Sequence, residues 1–198
     1  MEGANSPRLF TVLSGMGLRH KIQGSGRRQV PNFVFPGDFL GMQAALMGEM
    51  GHSVEAATDM RLCVFRRADV WTLFKSMPER AFDLTWLAAV EENFLGEALA
   101  TIGQMPALQR LAWAMVRLFK RAQAVGPTRG ETMPLPFRQQ GLADSLGLSL
   151  VHTNKTLARL RERQVAPWGE GRLRIADLGA LARIGGLDPE APVTRPLI

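Results

Sequence analysis

The chain has 198 residues, 46% of them hydrophobic and 21% charged, with one cysteine, three histidines and a net charge of +6. That apolar share supplies one sizeable core or two small ones and excludes disorder along the whole length. The single cysteine, Cys63, excludes an intrachain disulfide framework, a four-thiolate iron–sulfur cluster and a zinc site built on cysteine pairs. No window approaches ~18 uninterrupted apolar residues, and the opening MEGANSPRLFT lacks the apolar stretch of an export signal. A cytoplasmic protein with no membrane association is expected.

The charges are unevenly spread. Residues 1–103 carry 10 Lys+Arg against 11 Asp+Glu, residues 104–186 carry 13 against 5, and residues 187–198 carry 1 against 2. The basic surplus therefore lies wholly within 104–186. A surplus so placed points to a polyanionic partner, nucleic acid ahead of a membrane surface.

In chain order, LFTVLSGMGLRHKI (9–22), RRQVPNFVFPGDFLG (27–41) and VEAATDMRLCVFRR (54–67) are strand material. Ser14-Gly15, Gly24-Ser25-Gly26 and Pro36-Gly37 are the turn signals between them. Short strands at this spacing predict an antiparallel roll over residues 1–77. A closed roll needs more strands than these segments supply, so the module reads as partial. Cys63, between Leu62 and Val64, reads as a small buried apolar residue rather than a redox sensor.

Near Arg67 the period lengthens. Residues 68–77 predict a short helix, and residues 78–103 a long one with apolar positions at Leu87, Val90, Phe94 and Ala98 and a second set at Leu95, Leu99 and Ile102. One stripe suffices for packing on a helix's own domain; a second predicts a homodimer interface through Leu87, Val90, Phe94 and Leu95. Burial between two parts of one chain is the alternative. Gly103-Gln104-Met105-Pro106 interrupts the pattern and marks a hinge. A further helix follows within 104–126, with Leu108, Leu111, Ala112, Met115, Leu118, Phe119 and Ala122 on one side. Gly126-Pro127 ends it, and residues 128–136 read as a loop.

Residues 138–163, RQQGLADSLGLSLVHTNKTLARLRER, hold two short helical patterns around Gly147. Leu142, Ala143 and Leu146 face inward on the first, with small Ala143 allowing a close crossing. Ser149 is placed to cap the second, whose inward positions are Thr153, Thr156, Leu157 and Leu160. Its outward face carries Val151, His152, Asn154, Lys155 and Arg159. Two helices, a glycine turn and a polar second face make a helix-turn-helix; Asn pairs bidentately with adenine and Lys with guanine N7/O6 in a major groove. In RLRI (172–175), arginines alternate with Leu173 and Ile175, which predicts a two-stranded wing after Gly169-Glu170-Gly171. A winged helix-turn-helix thus spans 127–186, closed by a helix over 177–184, with a tail at 187–198. The fold class expected is α+β: a partial antiparallel β-roll, a long dimerisation helix and a C-terminal winged helix-turn-helix.

This order of parts resembles the Crp/Fnr family of bacterial transcription regulators, on FPGDFLG (35–41), EAATDMRLCVFRR (55–67) and ADSLGLSLVHTNKTLARLRE (143–162). The resemblance covers nearly the whole chain from Leu9 to about Gly186. It implies base contacts by Leu150, Val151 and Lys155, phosphate contacts near Ser149 and His152, and Asn154 between them. Lys155 stands where arginine is common and Val151 where many members have glutamate, so a different operator is implied. In cyclic-nucleotide-binding relatives a Gly-Glu pair and a later Arg-Ser hold the ligand; Gly41-Met42 and His52-Ser53 stand here instead, and His52 reads as a surface loop residue. The chain also begins where relatives are partway through their roll, which implies either a start placed too far downstream or a shortened regulator.

The function expected is sequence-specific binding of double-stranded DNA by a homodimer on an inverted repeat, through Ser149, Leu150, Val151, His152, Asn154, Lys155 and Arg159 with Arg172 on the wing. No cofactor or metal is expected, the effector is left open, and RNA polymerase is a further partner if the regulator activates. A sensor or dimerisation module that binds no operator is the competing reading. His20, His52 and His152 lie in different elements with no nucleophile–base pair or phosphate loop, so an enzyme is not expected.

Overall fold

A computed structural model describes residues 1–126 and 128–190. Pro127 and, from Ala191 on, the expected tail lie outside the described residues. The described residues divide into two compact units, 1–95 and 96–190.

The first unit holds six strands, β1 (Arg8–Ser14), β2 (Gly17–Ile22), β3 (Arg28–Val34), β4 (Phe39–Leu40), β5 (Ser53–Ala56) and β6 (Arg61–Arg66). They form two three-stranded antiparallel sheets, ordered β4-β1-β6 and β3-β2-β5. Leu9, Val12, Val30, Val34, Phe35 and Leu40 fill the core. The FPGD motif is a turn: Gly37 adopts φ 83°, the Asp38 amide donates to the Phe35 carbonyl at 3.2 Å, and the buried Asp38 carboxylate accepts from the Phe35 amide at 2.9 Å. Proline followed by a positive-φ glycine is the type II signature.

Three sequence expectations change in this unit. The stretch after β4 contains a helix, α1 (Met42–Met47), bounded by Gly41 and Gly48 in the left-handed region, where strands alone were read. Cys63 is half-buried, not buried, because little covers the faces of β6, where Leu62, Val64 and Phe65 are exposed as well. His52 is half-buried rather than a surface residue, and burial followed by the neighbouring Arg19 guanidinium pushes its pKa from 6.5 down to about 4. Lys21 adds to that depression, and Glu91 and Glu2 oppose it.

A 3-10 turn (Arg67–Asp69) leads to α2 (Val70–Ser76) and then to α3 (Pro78–Gln104), which runs from the first unit into the second. Ala81 and Leu84 bury its beginning. Glu91 ties it to the strands: its carboxylate accepts from Arg19 at 3.0 Å and from the Asn32 amide at 2.9 and 3.0 Å. The expected interruption at Gly103 is absent. The helix continues through Gly103 to Gln104, and the break is confined to the residues before Pro106, whose ring disfavours helical conformation in the residue preceding it.

In the second unit α4 (Ala107–Val125) packs against α6 (Leu150–Glu162) and α7 (Leu178–Gly185), and α5 (Gln139–Leu146) packs on α6. Trp113, Ala114 and Val116 are buried in addition to most of the expected stripe, whereas Leu108 is only half-buried. The segment read as a loop contains a strand, β7 (Thr132–Pro134), which joins β8 (Trp168–Gly169) and β9 (Arg172–Arg174) in the order β7-β9-β8. The wing is therefore three-stranded. Pro134 is tolerated because β7 is an edge strand, whose outer amides need no partner.

Gly185 of α7 rests directly on the backbone of α4. A Cβ added there would sit 2.7 Å from the Trp113 backbone nitrogen and 2.9 Å from its Cα. Gly185→Ala is expected to push α7 off α4 and destabilise the second unit by roughly 1–3 kcal/mol, measured by denaturant unfolding; an unchanged midpoint contradicts this contact. For His52, the unfolded chain takes up a proton below about pH 6.5 and the folded one only near pH 4, so stability falls as pH drops through that window. Melting curves between pH 7 and 4 should show a shallower loss in His52→Gln; equal slopes would contradict the assignment.

Candidate nucleic-acid interface

The turn between α5 and α6 is made by Gly147, at φ 64° and ψ 33°, whose amide and that of Leu148 both donate to the Ala143 carbonyl. A left-handed residue closing a helix in this way favours glycine. Two residues later Ser149 caps α6, its hydroxyl accepting from the His152 amide at 3.2 Å. Leu142, Ala143 and Leu146 of α5 and Leu160 of α6 are buried. Thr153 and Thr156 are buried too, and each satisfies its hydroxyl on its own helix, donating to the Ser149 and His152 carbonyls at 3.0 and 2.8 Å. No polar group on the inner face of α6 is thereby left to compete with the outer one. Leu157, expected inward, is half-buried.

The outer face is open. Val151, His152, Asn154, Lys155 and Arg159 are all exposed, Val151 at 66% and Leu150 at 39%. Among the described residues, the side chains of Asn154, Lys155 and Arg159 enter no hydrogen bond or ion pair, so their donors point to solvent. The α6 N-terminus adds the partial positive charge of its free amides, which suits a phosphate. The wing hairpin turns through Glu170 and Gly171, both at positive φ (50° and 70°), the geometry of a tight two-residue hairpin. Its two arginines differ: Arg174 binds Glu131 at 3.1 and 3.2 Å, whereas Arg172 is exposed without such a partner. Leu173 and Ile175 are buried on the opposite face.

Sequence reasoning passed over three further exposed cations, Arg138 at the start of α5 and Arg161 and Arg163 at the end of α6. Their signal was available in the same charge count, once each arginine was assigned to a helix end. Leu87 and Phe94 are half-buried in the chain, while Val90, Leu95 and Leu99 are 38%, 43% and 74% exposed.

The positions that the resemblance assigns to a cyclic nucleotide, Gly41-Met42 and His52-Ser53, do not fit one here. Gly41 adopts φ 98° and Met42 opens α1 without a carboxylate for a ribose. His52, with its pKa near 4, is neutral at pH 7 and offers no cation to a phosphate. The nearby cations are already engaged, Arg19 by Glu91 and Lys21 by Glu2 at 3.4 Å.

Comparisons with known proteins agree with this architecture. A profile described as "Crp-like helix-turn-helix domain" matches residues 109–184, and one described as "Cyclic nucleotide-binding domain" matches residues 1–77. The nitrogen fixation regulation protein FixK of Bradyrhizobium diazoefficiens is 27% identical over 168 residues, 85% of this chain and 70% of the relative. The transcriptional activatory protein AadR of Rhodopseudomonas palustris is 26% identical over 171 residues, 85% of this chain and 70% of that one. The solved structure of FixK2 from Bradyrhizobium japonicum, 21% identical, superposes with a TM-score of 0.81 over 93% of this chain and 91% of that one. With strand sheets, long helix and winged helix-turn-helix in the same order, and both domain profiles matched in place, the chain belongs to the Crp/Fnr family of DNA-binding transcription regulators.

Proposed function

We propose that the protein binds an inverted-repeat operator in duplex DNA as a homodimer, reading bases with the outer face of α6 and gripping phosphates with the wing. The observation that carries this is the set of exposed, unbonded donors Asn154, Lys155 and Arg159 on a helix whose inner face is fully satisfied. Ser149, Leu150, Val151 and His152 make up the first turn of that surface, and Arg172 the wing contact. A side chain free of intramolecular partners meets a base edge without first breaking a bond of its own. Arg138, Arg161 and Arg163 extend the same basic surface toward the DNA backbone. Val151 cannot accept a hydrogen bond, so the operator lacks a position read by a carboxylate on cytosine.

The dimer is assigned to α3 through Leu87, Val90, Phe94 and Leu95. Apolar side chains at helical spacing, Val90 and Leu95 exposed and Leu87 and Phe94 half-buried, favour a second copy of the same helix, which makes a self-complementary two-fold contact. Since a matched relative is named as an activator, RNA polymerase is the further partner this reading assigns if the chain activates.

Selection from a random duplex library should enrich an inverted repeat with half-sites about one helical turn, ~10 base pairs, apart. Lys155→Ala is expected to relax preference at one base position per half-site and cost roughly 1–3 kcal/mol per base contact. Arg172→Ala should weaken all sequences alike and flatten the salt dependence. Equal losses for both variants on every sequence would defeat the base-reading role of Lys155. Phe94→Asp should leave a charge without a partner in the interface and give monomers in sedimentation, from a parent that is dimeric at micromolar concentration. A monomeric parent removes the dimer.

A further inference from the structure

Arg110 sits on the first turn of α4, half-buried, between the end of α3 and the end of α5. Its Nε donates to the Met105 carbonyl at 2.6 Å, just past the last turn of α3, and its Nη1 donates to the Leu146 carbonyl at 3.2 Å, the last residue of α5. Both acceptors belong to helix termini, where the final carbonyls have no donor on their own helix and the dipole is negative. One planar guanidinium thus holds two helix ends at a fixed separation and angle. Beside it, Ile102 of α3 lies 3.5 Å from where a Cβ on Gly147 would be, so the α5–α6 turn abuts the last turns of α3.

We infer that Arg110 is a positioning residue that sets the angle of the helix-turn-helix relative to the end of α3, and through it the half-site spacing that the regulator accepts. The inference rests on the dimeric operator reading above. Without Arg110 each carbonyl finds water, the helix-turn-helix keeps its packing against α4, and its attachment to α3 loses a charged, two-point tie. The base-reading side chains of α6 are untouched, so recognition within a half-site persists while the distance between half-sites is less constrained. Lysine cannot substitute fully. A single ammonium lacks the rigid fork that spans two acceptors in one plane.

The experiment uses the full chain and a panel of duplexes carrying the selected inverted repeat with its spacer lengthened or shortened one base pair at a time. The unmodified protein should prefer one spacer by about tenfold or more over its neighbours. Arg110→Met should reduce that preference to under about threefold while keeping the same preferred bases inside each half-site. Arg110→Lys should fall between the two, and it serves as the test if the methionine variant does not fold. A variant that binds more weakly but with the parent's spacer profile overturns the inference and leaves the operator reading intact. A parent that enriches no inverted repeat overturns the operator reading and this inference with it.

Discussion

The second unit depends on one helix that has almost no solvent face. Residues 111–116 of α4 are buried in succession, which means that its neighbours lie on every side rather than along one stripe. Alanines at 112, 114 and 122 keep the helix thin enough for this, and Gly185 lets α7 rest on its backbone. Arg117 then adds a half-buried pair with Glu97 of α3 and lies over the Trp113 ring, 5.9 Å from its centroid, with burial lowering its pKa. Lys120 reaches the Asp188 carbonyl at 3.2 Å beyond α7. Of the two helices that pack on α4, α6 carries the readout surface, so the precision of that surface is inherited from the density of the packing beneath it.

Much of this was visible in the residue order. Gly147, Ser149 and the inward spacing of Leu142, Ala143, Leu146, Thr153, Thr156 and Leu160 are local signals, each acting within a few positions, and local signals survive the absence of tertiary information. The alternation of Arg172 and Arg174 with Leu173 and Ile175 worked for the same reason. The polarity of the outer face of α6 was legible because nothing in the fold needs those side chains, leaving their identities to solvent and to DNA.

The rest required contacts between distant residues. Neither β7, three residues long and containing Pro134, nor α1, one and a half turns between two glycines, carries enough periodicity to be read; β9 creates the one, and Gly41 and Gly48 delimit the other. The sequence around Cys63 indicated a strand but not that β6 would stay largely uncovered. The knot of Arg19, Asn32 and Glu91 joins residues up to 72 positions apart, and no spacing rule reaches that far. His52, in a loop as expected, read as a surface residue because its neighbours in sequence are polar or small; its neighbours in space are what keep it neutral.

The division of α6 into a satisfied inner face and an idle outer one bears on how such a regulator changes over generations. Substitutions at Val151, Asn154, Lys155 or Arg159 remove no packing and break no internal bond, so each is expected to shift stability by no more than about 0.5 kcal/mol. Thr153, Thr156 and Leu160 have no such freedom, being fully enclosed. Target choice is thereby uncoupled from folding. A duplicated copy of this gene could drift to a new set of promoters one residue at a time, with every intermediate still folded.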